Sequence, residues 1–242
     1  MSQTLWISHR GFSESATENT AEAFRAARQL GFTHLETDLR STADGELVLV
    51  HDKNLKRIAG QNLDVGQTAS NYLRRVRLTG GEKLLFFSEF MEEFNECHWI
   101  LDIKPEQGMR TLEALAKWWQ TTEYQDFFNQ RVRFLFWQKK QQDALLQKFP
   151  QAVCMARVEE CRRAGLACLM NMPTLAGIRK DVTYALPPRL MGKDLMRPEM
   201  VAKYRQQQGR VLSYLPADNK QTRHSLVVGV DEILTNGRPQ NL

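Results

Sequence analysis

The chain has 242 residues, 42% hydrophobic and 25% charged, with a formal net charge of +5; this excludes a disordered or coiled-coil polypeptide and leaves enough apolar material for a sizeable core. No apolar run approaches the roughly 20 residues needed to span a bilayer. The leading Met1-Ser2-Gln3-Thr4-Leu5-Trp6-Ile7 lacks a basic segment and its apolar residues break at Ser8-His9-Arg10, so no signal peptide is expected and a cytoplasmic protein is.

In chain order, residues 5–8 form a short apolar run, and residues 18–31 carry Ala21, Phe24, Ala27 and Leu30 at helical spacing up to Gly31. Strands are expected at 34–39 and, after the Asp44-Gly45 turn signal, at 46–50. A helix over 88–96, a strand over 99–103, a helix over 109–120, a strand over 132–137 and a helix over 139–149 follow. Later strands are expected at 152–156, 167–170, 211–215 and 232–234, with helices at 198–207 and 222–228. Repeated βα units imply parallel strands joined by right-handed crossovers. About eight strands in this length favour an α/β fold of the TIM-like (β/α)8 barrel type, a single domain over residues 1–242.

The basic residues are scattered, with short clusters at Arg74-Arg75-Val76-Arg77, Lys139-Lys140 and Arg162-Arg163. That pattern argues against a nucleic-acid partner and suits a small anionic substrate. Cys97, Cys154, Cys161 and Cys168 lack the paired spacing of structural zinc sites, and reduced thiols are expected.

Strand ends carry the chemistry in such barrels. Glu36 and Asp38 lie two apart on one strand and therefore share a face. Two carboxylates buried side by side need a cation or a shared proton. Asp102 and Lys104 repeat this spacing at another strand end. Three convergent carboxylates form an oxygen-rich site for a hard divalent ion, Mg2+ or Ca2+. His9 and His51 supply two imidazoles able to take and give protons near neutrality, and Arg10 and Lys104 can hold a phosphate.

His9-Arg10-Gly11, Glu18-Asn19-Thr20 with Ala23-Phe24, Glu36-x-Asp38, Thr42-x-Asp44-Gly45 and His51-Asp52-x-x-Leu55-x-Arg57 together resemble the glycerophosphodiester phosphodiesterase family in order and spacing. The match is dense over residues 5–58 and continues through Asp102-x-Lys104 to Gly229-Val230-Asp231. The resemblance implies a TIM barrel, a bound Mg2+ or Ca2+, and hydrolysis of small glycerophosphodiesters to glycerol 3-phosphate and an alcohol. It also implies roles: His9 and His51 as the acid/base pair, Glu36, Asp38 and Asp102 as metal ligands, Arg10 and Lys104 as phosphate binders. The sequence departs from the family at Asp102, where Glu is usual, and at Ser213-Tyr214 and Thr235-Asn236, where Trp-Thr and Thr-Asp are. Two alternatives therefore accompany hydrolysis: a phospholipase D-like lyase that forms a cyclic phosphate, and an inactive barrel that binds phosphorylated ligands.

Plainer roles fit other residues. Asn19 with Glu22 reads as the N-cap and capping box of the first helix. His34, His98 and His224 read as structural, Trp118-Trp119 as packing, and Phe136-Trp137 as able to line the pocket. Oligomeric state and the alcohol headgroup are not legible.

Overall fold

Helix α1 (Ala21–Gln29) follows strand β1 (Leu5–His9) because Thr20 caps it, the hydroxyl accepting the Ala23 N–H at 3.2 Å. Ala23, Phe24 and Ala27 are buried on one face, and Gly31 at φ 90° ends the turn. The computed structural model describes residues 4–190 and 192–239, so the sequence reading of residues 1–3 falls outside it. Among the described residues no helix is long and apolar enough to cross a membrane.

Two compact units are distinguished. In residues 8–154, β2 (His34–Ser41) carries the antiparallel β3 (Leu47–Leu49). The short helices α2 (Lys56–Ala59) and α3 (Ser70–Leu73) lead to α4 (Phe87–Phe94) and β4 (His98–Ile103), then α5 (Gly108–Gln120), α6 (Gln125–Gln130), β5 (Val132–Phe136), α7 (Lys139–Lys148) and β6 (Val153–Cys154). The ladder β2, β4, β5, β6 is parallel throughout. Phe24, Phe90 and Phe94 meet Trp99 edge-on, and Trp119 stacks 4.2 Å from Phe149, so aromatic rings fill the space between sheet and helices. Trp119 is indeed packing.

Residues 46–50 do not supply a barrel strand: β3 folds back on β2, pairing Leu39 with Leu49 and Ser41 with Leu47. Thr42 Oγ1 donating to Asp44 Oδ1 at 2.6 Å and Gly45 at φ 86° shape the reversal. Val48, Val50, Leu55, Ile58, Leu73 and Phe86 then close a small apolar cluster of their own.

The other unit comprises residues 1–7 and 155–242. It contains α8 (Val158–Leu169), β7 (Thr183–Leu186), the pair β8 (Arg189–Leu190) and β9 (Lys193–Asp194), α9 (Pro198–Gln206), β10 (Arg210–Tyr214), α10 (Asn219–Val228) and β11 (Glu232–Thr235). β10 lies between β7 and β11, parallel to both, and Leu5 N–H donates to Asp231 O at 3.0 Å. Residues 167–170 are not a strand. They lie mostly in α8, whose Cys161, Ala164, Gly165 and Cys168 bury one helical face, and the strand of this region is β7. Without β3, β8 and β9, eight strands alternate with helices in the TIM-like (β/α)8 fold.

Candidate active site

The loop after β1 is locally forced. Arg10 and Gly11 both have positive φ, 56° and 81°, and a Cβ on Gly11 would lie 2.7 Å from Ala23 C and Cβ. Arg10 N–H donates to Glu36 O, and Asn19 N–H to Arg10 O. His9 and Arg10 are thereby fixed against the Glu36 end of β2.

Glu36, Asp38 and Asp102 are buried, and ligand oxygens from the three all lie within 4.8 Å of one another. Register explains this: Asp38 pairs with Asp102 across parallel β2 and β4, and Glu36 shares their face. Lys104 Nζ lies 2.6 Å from both Asp38 Oδ1 and Asp102 Oδ2, and Arg10 Nε 2.9 Å from Asp38 Oδ2. The Lys104–Asp38 and Arg10–Asp38 contacts are ion pairs without well-aligned hydrogen bonds. His9 Nε2 is 3.8 Å from Glu36 Oε2.

Three carboxylates against two cations leave one negative charge in excess. Burial, then the charges of Asp38 and Asp102, push the Glu36 carboxyl well above its ordinary range. Burial raises Asp102 as well, against the pull of Lys104. Asp38 is equally buried, yet Lys104 and Arg10 hold it below the usual carboxylate range. Buried Glu36 Oε2 has no hydrogen-bond partner. An all-oxygen donor set with surplus charge and an unsatisfied buried oxygen fits a hard divalent cation.

The β2–β3 hairpin delivers His51. Val50 N–H donates to Asp38 O at 3.0 Å, and the Arg40 guanidinium holds His51 O through two N–H groups at 3.0 and 2.7 Å. His51 Nδ1 lies 2.7 Å from Asp52 Oδ1. Arg57 donates from Nε to Asp52 at 2.6 Å and from its terminal nitrogens to Glu18 at 2.6 and 3.1 Å; Glu18 also accepts from Arg10 at 3.2 Å. Burial would raise Asp52 and Glu18, but their hydrogen bonds and the Arg57 charge hold both low.

A model of the glycerophosphoryl diester phosphodiesterase family matches residues 9–238. The chain belongs to that family. The glycerophosphodiester phosphodiesterase of Caldanaerobacter subterraneus subsp. tengcongensis is 46% identical to it over 55 residues, 23% of either chain. The probable glycerophosphodiester phosphodiesterase 2 of Mycobacterium tuberculosis is 30% identical over 99 residues, 40% of this chain and 38% of that one. Human lysophospholipase D GDPD1 is 44% identical over 59 residues, 24% of this chain and 19% of that one. Each match thus covers well under two thirds of the relative. Among solved structures, the glycerophosphoryl diester phosphodiesterase domain of a Mycobacterium tuberculosis protein has a TM-score of 0.79 at 13% identity, covering 98% of this chain and 97% of that one. The Agrobacterium tumefaciens glycerophosphodiester phosphodiesterase has a TM-score of 0.72 at 19% identity, covering 97% and 96%. At these identities the structural likeness bears on the fold.

In this member of the family Glu36, Asp38, Asp102, Arg10 and Lys104 come together, with His9 against Glu36 and His51 carried by the hairpin beside Asp38. Asn19 is not the helix cap; Thr20 is. Asn19, at φ 59°, sends Nδ2–H to Asp38 Oδ2 at 2.8 Å, and its Oδ1 accepts the Thr37 hydroxyl at 2.7 Å. Sequence reasoning missed this, and also Arg40; Glu18 and Arg57 lay within the motif without an assigned role. The available signal for Arg40 was its place two residues beyond Asp38, on the same face of β2 as Glu36 and Asp38. Trp137 reaches the site, its indole N–H donating to Asp102 Oδ1 at 2.9 Å.

The remaining histidines hold structure: His34 stacks on His98 at 4.4 Å, and His224 Nε2 lies 2.6 Å from Met196 O. All four cysteines are free thiols, and among the described residues the acidic trio forms the only cluster suited to a metal. Ser213 is buried and bonded to Ser225 at 2.8 Å, and strand alternation turns Tyr214 to the opposite face of β10.

Proposed function

We propose that the chain, as a single barrel domain over residues 1–242, hydrolyses glycerophosphodiesters to glycerol 3-phosphate and an alcohol with Mg2+ or Ca2+ at Glu36, Asp38 and Asp102. The observation that carries this is the convergence of three buried carboxylates within 4.8 Å, with Arg10 and Lys104 against them. Family membership supports the reaction class. A cytoplasmic setting belongs to the same reading, supported by four free thiols.

A divalent ion bound at the trio would neutralise phosphodiester charge and help orient the diester. Arg10 and Lys104 bind phosphoryl oxygens and stabilise the charge that grows on them. His51 donates Nδ1–H to Asp52, which leaves the Nε2 lone pair to take a proton from the attacking water. Oxygen from that water bonds to phosphorus as the phosphorus–alkoxide bond breaks, and His9 supplies the proton the alkoxide takes. Asp52, Arg57 and Glu18 fix the His51 ring and the Arg10 guanidinium at opposite ends of one chain of ion pairs.

The test is turnover of glycerophosphocholine, glycerophosphoethanolamine, glycerophosphoglycerol and lysophospholipids, followed by phosphorus NMR. His9→Ala and His51→Ala should each lower turnover about 100-fold or more, and EDTA should abolish it. Activity that survives chelation removes the metal role. A persistent cyclic phosphate turns the assignment toward a lyase, and binding without turnover toward an inactive barrel.

A further inference from the structure

Trp137 is a large aromatic that packing does not explain. Phe134 and Phe136 of β5 stack together, and Phe134 stacks on Trp119 of α5, so both face the helices. Alternation sends Leu135 and Trp137 to the other face. Leu135 pairs in register with Asp102, which puts Trp137 on the carboxylate side, just past the strand end. There it remains 43% exposed, while Trp99 and Trp119 of the same unit are buried.

Its two ends meet different chemistry. The indole N–H holds Asp102 Oδ1 at 2.9 Å while Lys104 holds Oδ2 at 2.6 Å. A short Asp side chain gripped at both oxygens loses its rotational freedom and keeps facing Glu36 and Asp38, with lone pairs left for a cation. The ring centre lies 5.4 Å from Lys104 Nζ. An organic group esterified to a phosphate at Lys104 would lie within reach of that open ring.

We infer that Trp137 is both the positioning residue for Asp102, through its indole N–H, and the surface against which the carbon skeleton of the diester rests. This deepens the proposed function and rests on its metal and phosphate assignments. A neutral, polyol-like skeleton suits the ring better than a quaternary ammonium, because the Lys104 ammonium already stands beside its face.

Two substitutions separate the roles. Trp137→Phe keeps an aromatic ring and deletes the N–H; Trp137→Leu deletes both. Calorimetric titration of the substrate-free protein with Ca2+ and with Mg2+ should show affinity about tenfold weaker in both variants, the size of a lost hydrogen bond to a charged group. At saturating metal, KM for glycerophosphoglycerol should be several-fold higher in Trp137→Leu than in Trp137→Phe, with a smaller gap for glycerophosphocholine. Circular dichroism melting verifies that both variants are folded. Wild-type metal affinity in Trp137→Phe overturns the positioning role, and equal KM values overturn the ring's role. If the wild-type protein itself binds neither ion, the metal assignment fails before the variants are compared.

Discussion

Asn19 sits where two demands meet. Its backbone has a positive φ of 59°, tolerated best by Gly, Asn and Asp, and its amide must donate to Asp38 while accepting from Thr37. Ala satisfies neither. Asn19→Ala should lower stability by about 2 kcal/mol or more, a fall in melting temperature of roughly 4–8 °C for a chain of this size. Asn19→Gly should recover part of that fall but leave turnover depressed, because Asp38 still lacks its donor. Calorimetry beside an activity assay reads both, and turnover restored by Gly would reduce Asn19 to a backbone role. The sequence could not reveal this: Asn ahead of a helix with Glu22 downstream has the residues of a capping box, and only the fold tells that Thr20 takes the cap while Asn19 turns inward. The convergence of Glu36, Asp38 and Asp102 was legible because the first two lie two apart on one strand and the third lies on another with Lys104 two residues beyond it. Trp137 was half legible, since a strand-end aromatic can face either the helices or the site.

At the scale of elements, the β1–α1 turn is the tightest part of the site. Gly11→Ala would force a Cβ to 2.7 Å from Ala23 backbone and side-chain atoms at a φ of 81°. The turn must shift, carrying Arg10 away from Asp38. Turnover should fall more than roughly tenfold, as small displacements of positioned groups do, while far-UV circular dichroism keeps its helical signal. Near-normal turnover would mean that the loop relaxes without moving Arg10. Helices α4, α5 and α7 were read closely, each lying within a residue or two of expectation. Residues 167–170 were misread because four apolar residues fit a strand and a buried helix end equally well. The helix betrays itself earlier, where Glu160 accepts the Arg157 N–H at 2.9 Å. β7 escaped because Thr183–Leu186 is a short run lying close before Pro187-Pro188.

For the molecule as a whole, the fold class and the approximate number of strands were readable from alternation and length, whereas which segments supply the barrel strands was not, since β3 has strand composition but an antiparallel partner. Stability also has a pH dependence written into the second unit's core. Burial pushes the Cys161 thiol from 9.0 to about 11. A folded-state value above the unfolded one favours the folded chain fully while both forms stay protonated, and that contribution fades as pH rises from about 9 toward 11. Urea unfolding at stepped alkaline pH should therefore show stability declining through this window, with a shallower decline in Cys161→Ala. Parallel declines would assign the loss to other groups.

The hairpin that carries His51 has its own apolar cluster, separate from the aromatic layer behind the sheet. The imidazole proposed to transfer a proton thus rides on an appendage, while the residues proposed to hold phosphate and metal belong to the scaffold. Exchanges among the residues of that cluster offer evolution a tuning screen for the imidazole's angle, away from the aromatic layer that backs the sheet.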